Sequence, residues 1–140
     1  MVVRLTREES RARTRAAVID AAMVVFARRG FAGASMEEIA AEAGFTRGAV
    51  YSNFDDKADL FLAVIEEREH RRVSEVTEVF RSSGNPAAFL IALAASNAEK
   101  PVDEQWVMLR VEFWLYAMRN PEVRPRLIER NRSVIRSVED

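Results

Sequence analysis

The sequence predicts an all-α fold, and three observations predict it. Apolar residues recur at helical spacing through every long segment, and nowhere do apolar and polar residues alternate as in a strand. Glycine, proline and capping residues punctuate the helical stretches. With 140 residues, 49% of them hydrophobic, the chain has enough apolar mass for one sizeable core, or for a small and a medium domain that share one.

The segment Thr6-Arg-Glu-Glu9 has the form of a capping box and starts a first helix at Arg7, with Ser10 as an alternative, later cap. That helix runs to Arg29 with Val18, Ala22, Val25 and Phe26 as its buried stripe. Gly30 ends it, and Phe31 packs behind the stop. Ser35 with Glu38 forms a second capping box, opening a helix from Met36 to Ala43 that buries Ile39 and either Ala40 or Ala43. Only Gly44, Phe45 and Thr46 separate it from the next pattern: Gly44 suits a left-handed stop and Thr46 suits a cap. That is the length of a helix-turn-helix turn.

Asp55 or Asp56 caps a long fourth helix from about Lys57 to Phe80, with Leu60, Phe61, Val64 and Ile65 as its first apolar face. Ser82 to Pro86 is the clearest loop in the chain. A fifth helix spans Ala87 to Ala98, and a break follows at Lys100 and Pro101. The sixth, from about Asp103 to Arg119, is apolar on nearly every side, which predicts a central, buried helix. Asn120 and Pro121 stop it. The seventh starts near Glu122 and carries Val123, Leu127, Ile128, Val134, Ile135 and Val138 on one stripe. The expected division is a head over residues 1–56 and an all-α body over 57–140.

Composition narrows the function. There is no cysteine and the one histidine, His70, lies among charged neighbours; disulfides, thiolate metal sites and triad chemistry are therefore not expected. No serine has a histidine partner and no glycine-rich phosphate loop or metal-ligand cluster is present, so neither an enzyme nor a cofactor is expected. No apolar run reaches spanning length and the N-terminus lacks the apolar stretch of a signal peptide, which predicts a cytoplasmic protein. The net charge of -1 hides a basic end: Arg4, Arg7, Arg11, Arg13 and Arg15 stand against only Glu8 and Glu9, whereas Asp59 to Glu78 is acid-rich.

The segment Thr46 to Phe54, TRGAVYSNF, suits a DNA recognition helix. Helical periodicity puts Arg47, Gly48, Tyr51 and Ser52 on one side and Val50 on the other. Gly48 removes a side chain where a groove wall would press, while Arg47, Tyr51, Ser52 and Asn53 offer donors for phosphates and base edges.

From Arg15 to Leu62 the chain resembles the DNA-binding end of the TetR (tetracycline-repressor-like) family of bacterial transcription regulators. AVIDAAMVVFARRGF, ASMEEIAAEAGF, TRGAVYSNF and DDKADLF follow one another in the family's order and spacing. The resemblance implies a three-helix head, joined by the fourth helix to an all-α body that binds a small molecule, in a homodimer on an inverted-repeat operator in double-stranded DNA. Carried over by position, Ser35 and Thr46 match helix-start residues that touch phosphate, and Arg47 and Gly48 match positions that face bases. Tyr51 matches a phosphate-binding tyrosine, Asn53 the position beside it that is frequently histidine or asparagine, and Lys57 a lysine that grips the backbone. Family members usually continue through two further long helices that pair with a second subunit. This chain stops in or after the seventh, so a weakened dimer is expected.

In the body, Phe89, Trp106, Leu109, Phe113, Trp114 and Met118 are candidates to line a pocket for an apolar or aromatic effector between the fourth helix and the fifth to seventh, with Arg110 as a polar anchor. The function expected is that of a DNA-binding regulator, a repressor switched by a small molecule. The alternative is a helical interaction module that keeps the head and binds a partner protein through the seventh-helix stripe.

Overall fold

A computed structural model describes residues 4–99 and 103–139; among them are seven α-helices and no strand. They are α1 (Arg7–Gly33), α2 (Met36–Ala43), α3 (Arg47–Asn53), α4 (Lys57–Ser83), α5 (Pro86–Glu99), α6 (Glu104–Arg119) and α7 (Arg124–Glu139). The all-α expectation holds. The break at Lys100 and Pro101 lies outside the described residues. No helix among those described is long and apolar enough to cross a membrane.

Local capping chemistry sets most boundaries. The Thr6 hydroxyl accepts the Glu9 N–H at 3.1 Å and the Glu9 carboxylate accepts the Thr6 N–H at 3.3 Å, so α1 starts at Arg7 rather than after Ser10. Ser35 caps α2 by accepting the Glu38 N–H at 3.1 Å. The expected second capping box is only half formed, because the Glu38 carboxylate takes Arg28 and Arg29 as partners, each at 3.1 Å. The hydrogen bond from Arg29 leads in holding that carboxyl below its ordinary range. Gly44 is left-handed, with φ 76°, and its N–H turns back to the α2 carbonyls of Ala40 and Ala41. Asp56 rather than Asp55 caps α4, accepting the Asp59 N–H at 2.7 Å. Asn85 caps α5, which starts at Pro86, the helical position where a missing N–H costs nothing.

Gly30 breaks the first helix as expected; at φ 74° and ψ 173° it turns the chain sharply, and one further helical turn, not expected, follows to Gly33. The turn aims Phe31 inward. Its ring lies 5.9 Å from Phe26, 5.4 Å from Phe61, 5.2 Å from Phe113 and 4.8 Å from Tyr116, with Phe61 and Phe113 stacked at 4.6 Å. The Glu112 carboxylate accepts the Ala32 N–H at 2.7 Å, and the Lys57 ammonium donates to the carbonyls of Ala32 and Ala34 at 3.2 and 3.1 Å. Two charged side chains thus satisfy backbone groups that the interrupted helix leaves open.

The chain divides into two compact units, residues 1–64 with 105–140, and residues 65–104. These do not follow the boundary expected after residue 56. Leu60, Phe61 and Val64 at the start of α4 complete the core of α1 to α3, and Leu109, Phe113 and Ala117 of α6 bury themselves in the same unit. Arg126, just inside α7, adds bonds at 3.3 Å to both Asp56 carboxylate oxygens and lies 3.7 Å from Asp59. The second unit, distal α4 with α5, pairs Phe80 with Phe89 edge to face at 5.3 Å and Arg68 with Asp103 at 3.3 Å.

Two further expectations are corrected. α6 is not buried all round: it packs through one face, and Val107, Met108, Val111, Trp114, Leu115 and Met118 are exposed. A helix apolar on all sides does not encode which side meets its neighbours. α7 begins at Arg124, since residues 121–123 form a turn after Asn120. Of its stripe, Val123 is buried and Ile128 exposed, whereas the side chains of Val134, Ile135 and Val138 lie outside those described.

Gly30 occupies a backbone region that only glycine adopts readily, and a Cβ there would meet Glu112 Oε2 at 3.0 Å. Gly30→Ala should therefore cost about 1–3 kcal/mol of stability. Urea unfolding followed by circular dichroism checks this, and a variant as stable as the parent contradicts it. Burial pushes the Asp56 carboxyl up, but bonds from Arg126 and from the Asp59 and Ala58 N–H groups outweigh that and hold it below its ordinary range. A lowered acid contributes stability above its unfolded pKa and loses it as pH falls through the folded value. Arg126→Ala should thus cost at most about 1 kcal/mol at pH 7, given the pair's exposure, and nothing at a pH well below about 4. A gap that persists undiminished in acid contradicts this.

Candidate nucleic-acid interface

α2 and α3 meet through the three-residue turn 44–46, and each carries its own cap, since Thr46 accepts the Ala49 N–H at 3.2 Å as Ser35 does for α2. Val50, fully buried, pins α3 to the core, and Phe54, 1% exposed, seals its C-terminal end. The opposite face, with Arg47, Gly48, Tyr51 and Ser52, is exposed. A seven-residue helix has little stability of its own, so these few anchors decide how that face is presented.

The exposed side chains are organised. Arg47 pairs through Nε with Glu37 of α2 at 3.1 Å, and its guanidinium lies 5.2 Å from the Tyr51 ring centre. Gly48 has no positive φ, and a Cβ there would find only the Thr46 hydroxyl, at 3.9 Å. The fold does not require glycine at this point; the residue simply keeps the helix face low. Ser52 Oγ bonds the Ala49 carbonyl at 2.9 Å. The Asn53 amide nitrogen donates to the same carbonyl at 2.9 Å, which clamps the end of α3 and uses one of its two N–H donors.

Lys57 is turned toward the protein. Beyond its two carbonyl bonds it lies 4.8 Å over the Phe31 ring, and burial lowers its pKa while the charge of Glu112 opposes that shift. Of its three N–H donors two are engaged within the fold. Two arginines of the basic N-terminal end also shape the face. Arg11 donates to the Ser52 carbonyl at 3.4 Å and Arg15 to the Asn53 carbonyl at 3.2 Å, with Arg15 stacked 4.5 Å over Phe54. Their signal was present in the sequence, because Arg11 and Arg15 extend the register of the apolar α1 stripe by two turns.

The effector candidates are not gathered in one cavity of either unit. Leu109 and Phe113 are buried in the aromatic core, Trp106 stacks on Phe61 at 6.2 Å, and Trp114 and Met118 are 54% and 43% exposed. Arg110 is exposed as well, and Phe89 lies in the second unit against Phe80. A surface depression of about 330 Å³ at the start of α7 is lined by Pro121, Arg124, Pro125, Ile128, Glu129 and Arg132, none of which is among the effector candidates.

Residues 18–64 match the family described as bacterial regulatory proteins, tetR family. The HTH-type transcriptional regulator AcrR of Shigella flexneri is 33% identical over 113 residues, covering 79% of this chain and 52% of AcrR. The HTH-type transcriptional repressor BepR of Brucella suis is 46% identical over 63 residues, 45% of this chain and 30% of BepR. A crystal structure from Mesorhizobium loti, assigned to the TetR family of transcriptional regulators, superposes with a TM-score of 0.68 at 30% identity, over 90% of this chain and 62% of that one. The chain thus spans about half, or less, of the length of these curated relatives. With the family match covering the head from Val18 to Val64, and relatives that extend the likeness across most of the chain, this protein belongs to the tetR family of bacterial regulatory proteins.

Proposed function

We propose that the chain is a sequence-specific DNA-binding transcription regulator, a repressor, that acts as a homodimer on an inverted-repeat operator and releases it when a small molecule binds. The exposed face of α3 carries this reading: it is polar, capped and pinned from behind, and Gly48 keeps it low where nothing in the fold demands glycine. In this reading two such faces enter successive major grooves about 34–36 Å apart. The repressor sign is supported by BepR, which is named a repressor.

Arg47 reads base edges by exchanging Glu37 for a guanine edge, and Ser35, Thr46, Tyr51 and Ser52 hold phosphates. Lys57 has one donor left for a phosphate and acts chiefly by fixing the α1 end against α4. The effector binds an apolar surface that includes the outer face of α6, with Val111, Trp114 and Met118. The opposite face of the same helix holds Phe31 and the Ala32 N–H, which gives a bound ligand a short route to the head.

Selection of bound duplexes from a random pool tests the reading, and a pool that enriches no sequence overturns it. On the operator recovered, Arg47→Ala should alter preference at one base pair, by about 1–3 kcal/mol if the contact is bidentate. Tyr51→Phe should weaken all duplexes alike with no loss of stability, and Lys57→Ala should lower stability and affinity together. Preference unchanged by Arg47→Ala would remove its base-reading role.

A screen of apolar and aromatic compounds by tryptophan fluorescence tests the switch. Any compound that binds should lower operator affinity by the same factor by which operator lowers the compound's affinity. Binding that leaves operator affinity unchanged contradicts the switch.

A further inference from the structure

We propose that the first three turns of α1 form a second DNA contact, an arginine stripe that grips the phosphate backbone flanking the base pairs faced by α3. The inference rests on the reading of α3 as the operator-reading helix and adds a surface to it. α1 begins at Arg7, yet its first buried residue is Val18, and every residue from Arg4 to Ala17 is exposed or only partly covered. At 1.5 Å per residue the helix overhangs the core by about 16 Å. Burial therefore does not hold these turns in place, and the capping box at Thr6 closes them instead.

Register aims the overhang. Arg7, Arg11 and Arg15 recur every four residues and continue, as arginine, the stripe that Val18, Ala22 and Val25 carry into the core. The contacts confirm the side: Arg11 and Arg15 reach the last carbonyls of α3, at Ser52 and Asn53. Each guanidinium has five N–H groups, so both keep donors for a phosphate that lies beyond α3. Arg7 lies one turn further out and Arg4 precedes the cap; neither has a hydrogen bond or ion pair among the described residues. The two acids of this segment do not cancel the stripe. Glu9 is held by the Thr6 cap, and Glu8 lies about 100° around the helix from Arg7. Arg13 points to another side and is not part of the contact.

A row of guanidinium groups at one-turn spacing, set beside α3, fits a regularly spaced polyanion. On this side of the head that polyanion is the duplex that α3 engages, where it continues outward from the half-site.

The test uses the whole chain and the operator recovered by selection, in two duplexes: one trimmed to the inverted repeat, the other extended by about one helical turn, roughly ten base pairs, on each side. The parent chain should bind the extended duplex roughly tenfold or more tightly at low salt, and the slope of log affinity against log salt should steepen by about 0.9 per added phosphate contact. The double variant Arg4→Ala, Arg7→Ala, whose side chains make no hydrogen bond or ion pair among the described residues, should bind the trimmed duplex like the parent and lose the gain on extension. Equal affinity of the parent for both duplexes, or a double variant that keeps the whole gain, overturns the stripe while leaving the α3 reading intact. If neither duplex binds above random DNA, the α3 reading itself fails and the stripe falls with it.

Discussion

The turn at Gly30 organises the compact unit that carries the exposed face of α3. Without its positive φ, α1 would run straight on and Phe31 would not reach Phe61, Phe113 and Tyr116. Phe31 is the ring that α1, α4 and α6 share. Aromatic pairs at these separations contribute about 0.5–1.5 kcal/mol each beyond the area they bury. The cluster therefore outweighs the exposed ion pairs around it, which contribute about 1 kcal/mol or less. Lys57 and Glu112 do not supply the binding strength of this junction. They satisfy the N–H and carbonyl groups that the turn exposes, which otherwise would cost more than the pairs themselves contribute.

Everything that positions the α3 face follows from that unit. Val50 and Phe54 attach α3 to a core completed by the start of α4, and Arg11 and Arg15 hold its C-terminal carbonyls from α1. The exposed side is left with a bare glycine, an arginine held in reserve by Glu37, and a tyrosine. α6 grips the same Phe31 turn through a packed ring and one carboxylate bond.

What was legible in the sequence was what is local. The caps at Thr6, Ser35 and Thr46, the left-handed Gly44 and the buried Val50 each depend on residues within one turn, so spacing alone discloses them. Long-range competition was not legible. Glu38 abandons its capping box for Arg28 and Arg29 on α1, Lys57 turns inward to carbonyls of residues 32 and 34, and Glu112 finds a partner 80 positions away in the chain. Gly30 was legible as a break, but a stop and a kink share the same residue; only the partners of Phe31 distinguish them. The effector candidates on α6 divide between core and surface for a related reason. Its sequence is apolar on all sides, so periodicity could not separate Leu109 and Phe113, which face the core, from Trp114 and Met118, which do not.

The central claim is that the chain meets DNA through the exposed face of α3. At 15.9 kDa the protein suits amide-resolved NMR, and titration with the selected operator duplex tests the claim most directly. The account predicts the largest shift changes at the amides of Thr46 to Asn53 and at the start of α2 around Ser35, with the buried amides near Val18 and Phe26 little affected. Changes concentrated on α5 or α7, with α3 unmoved at saturating operator, would contradict it.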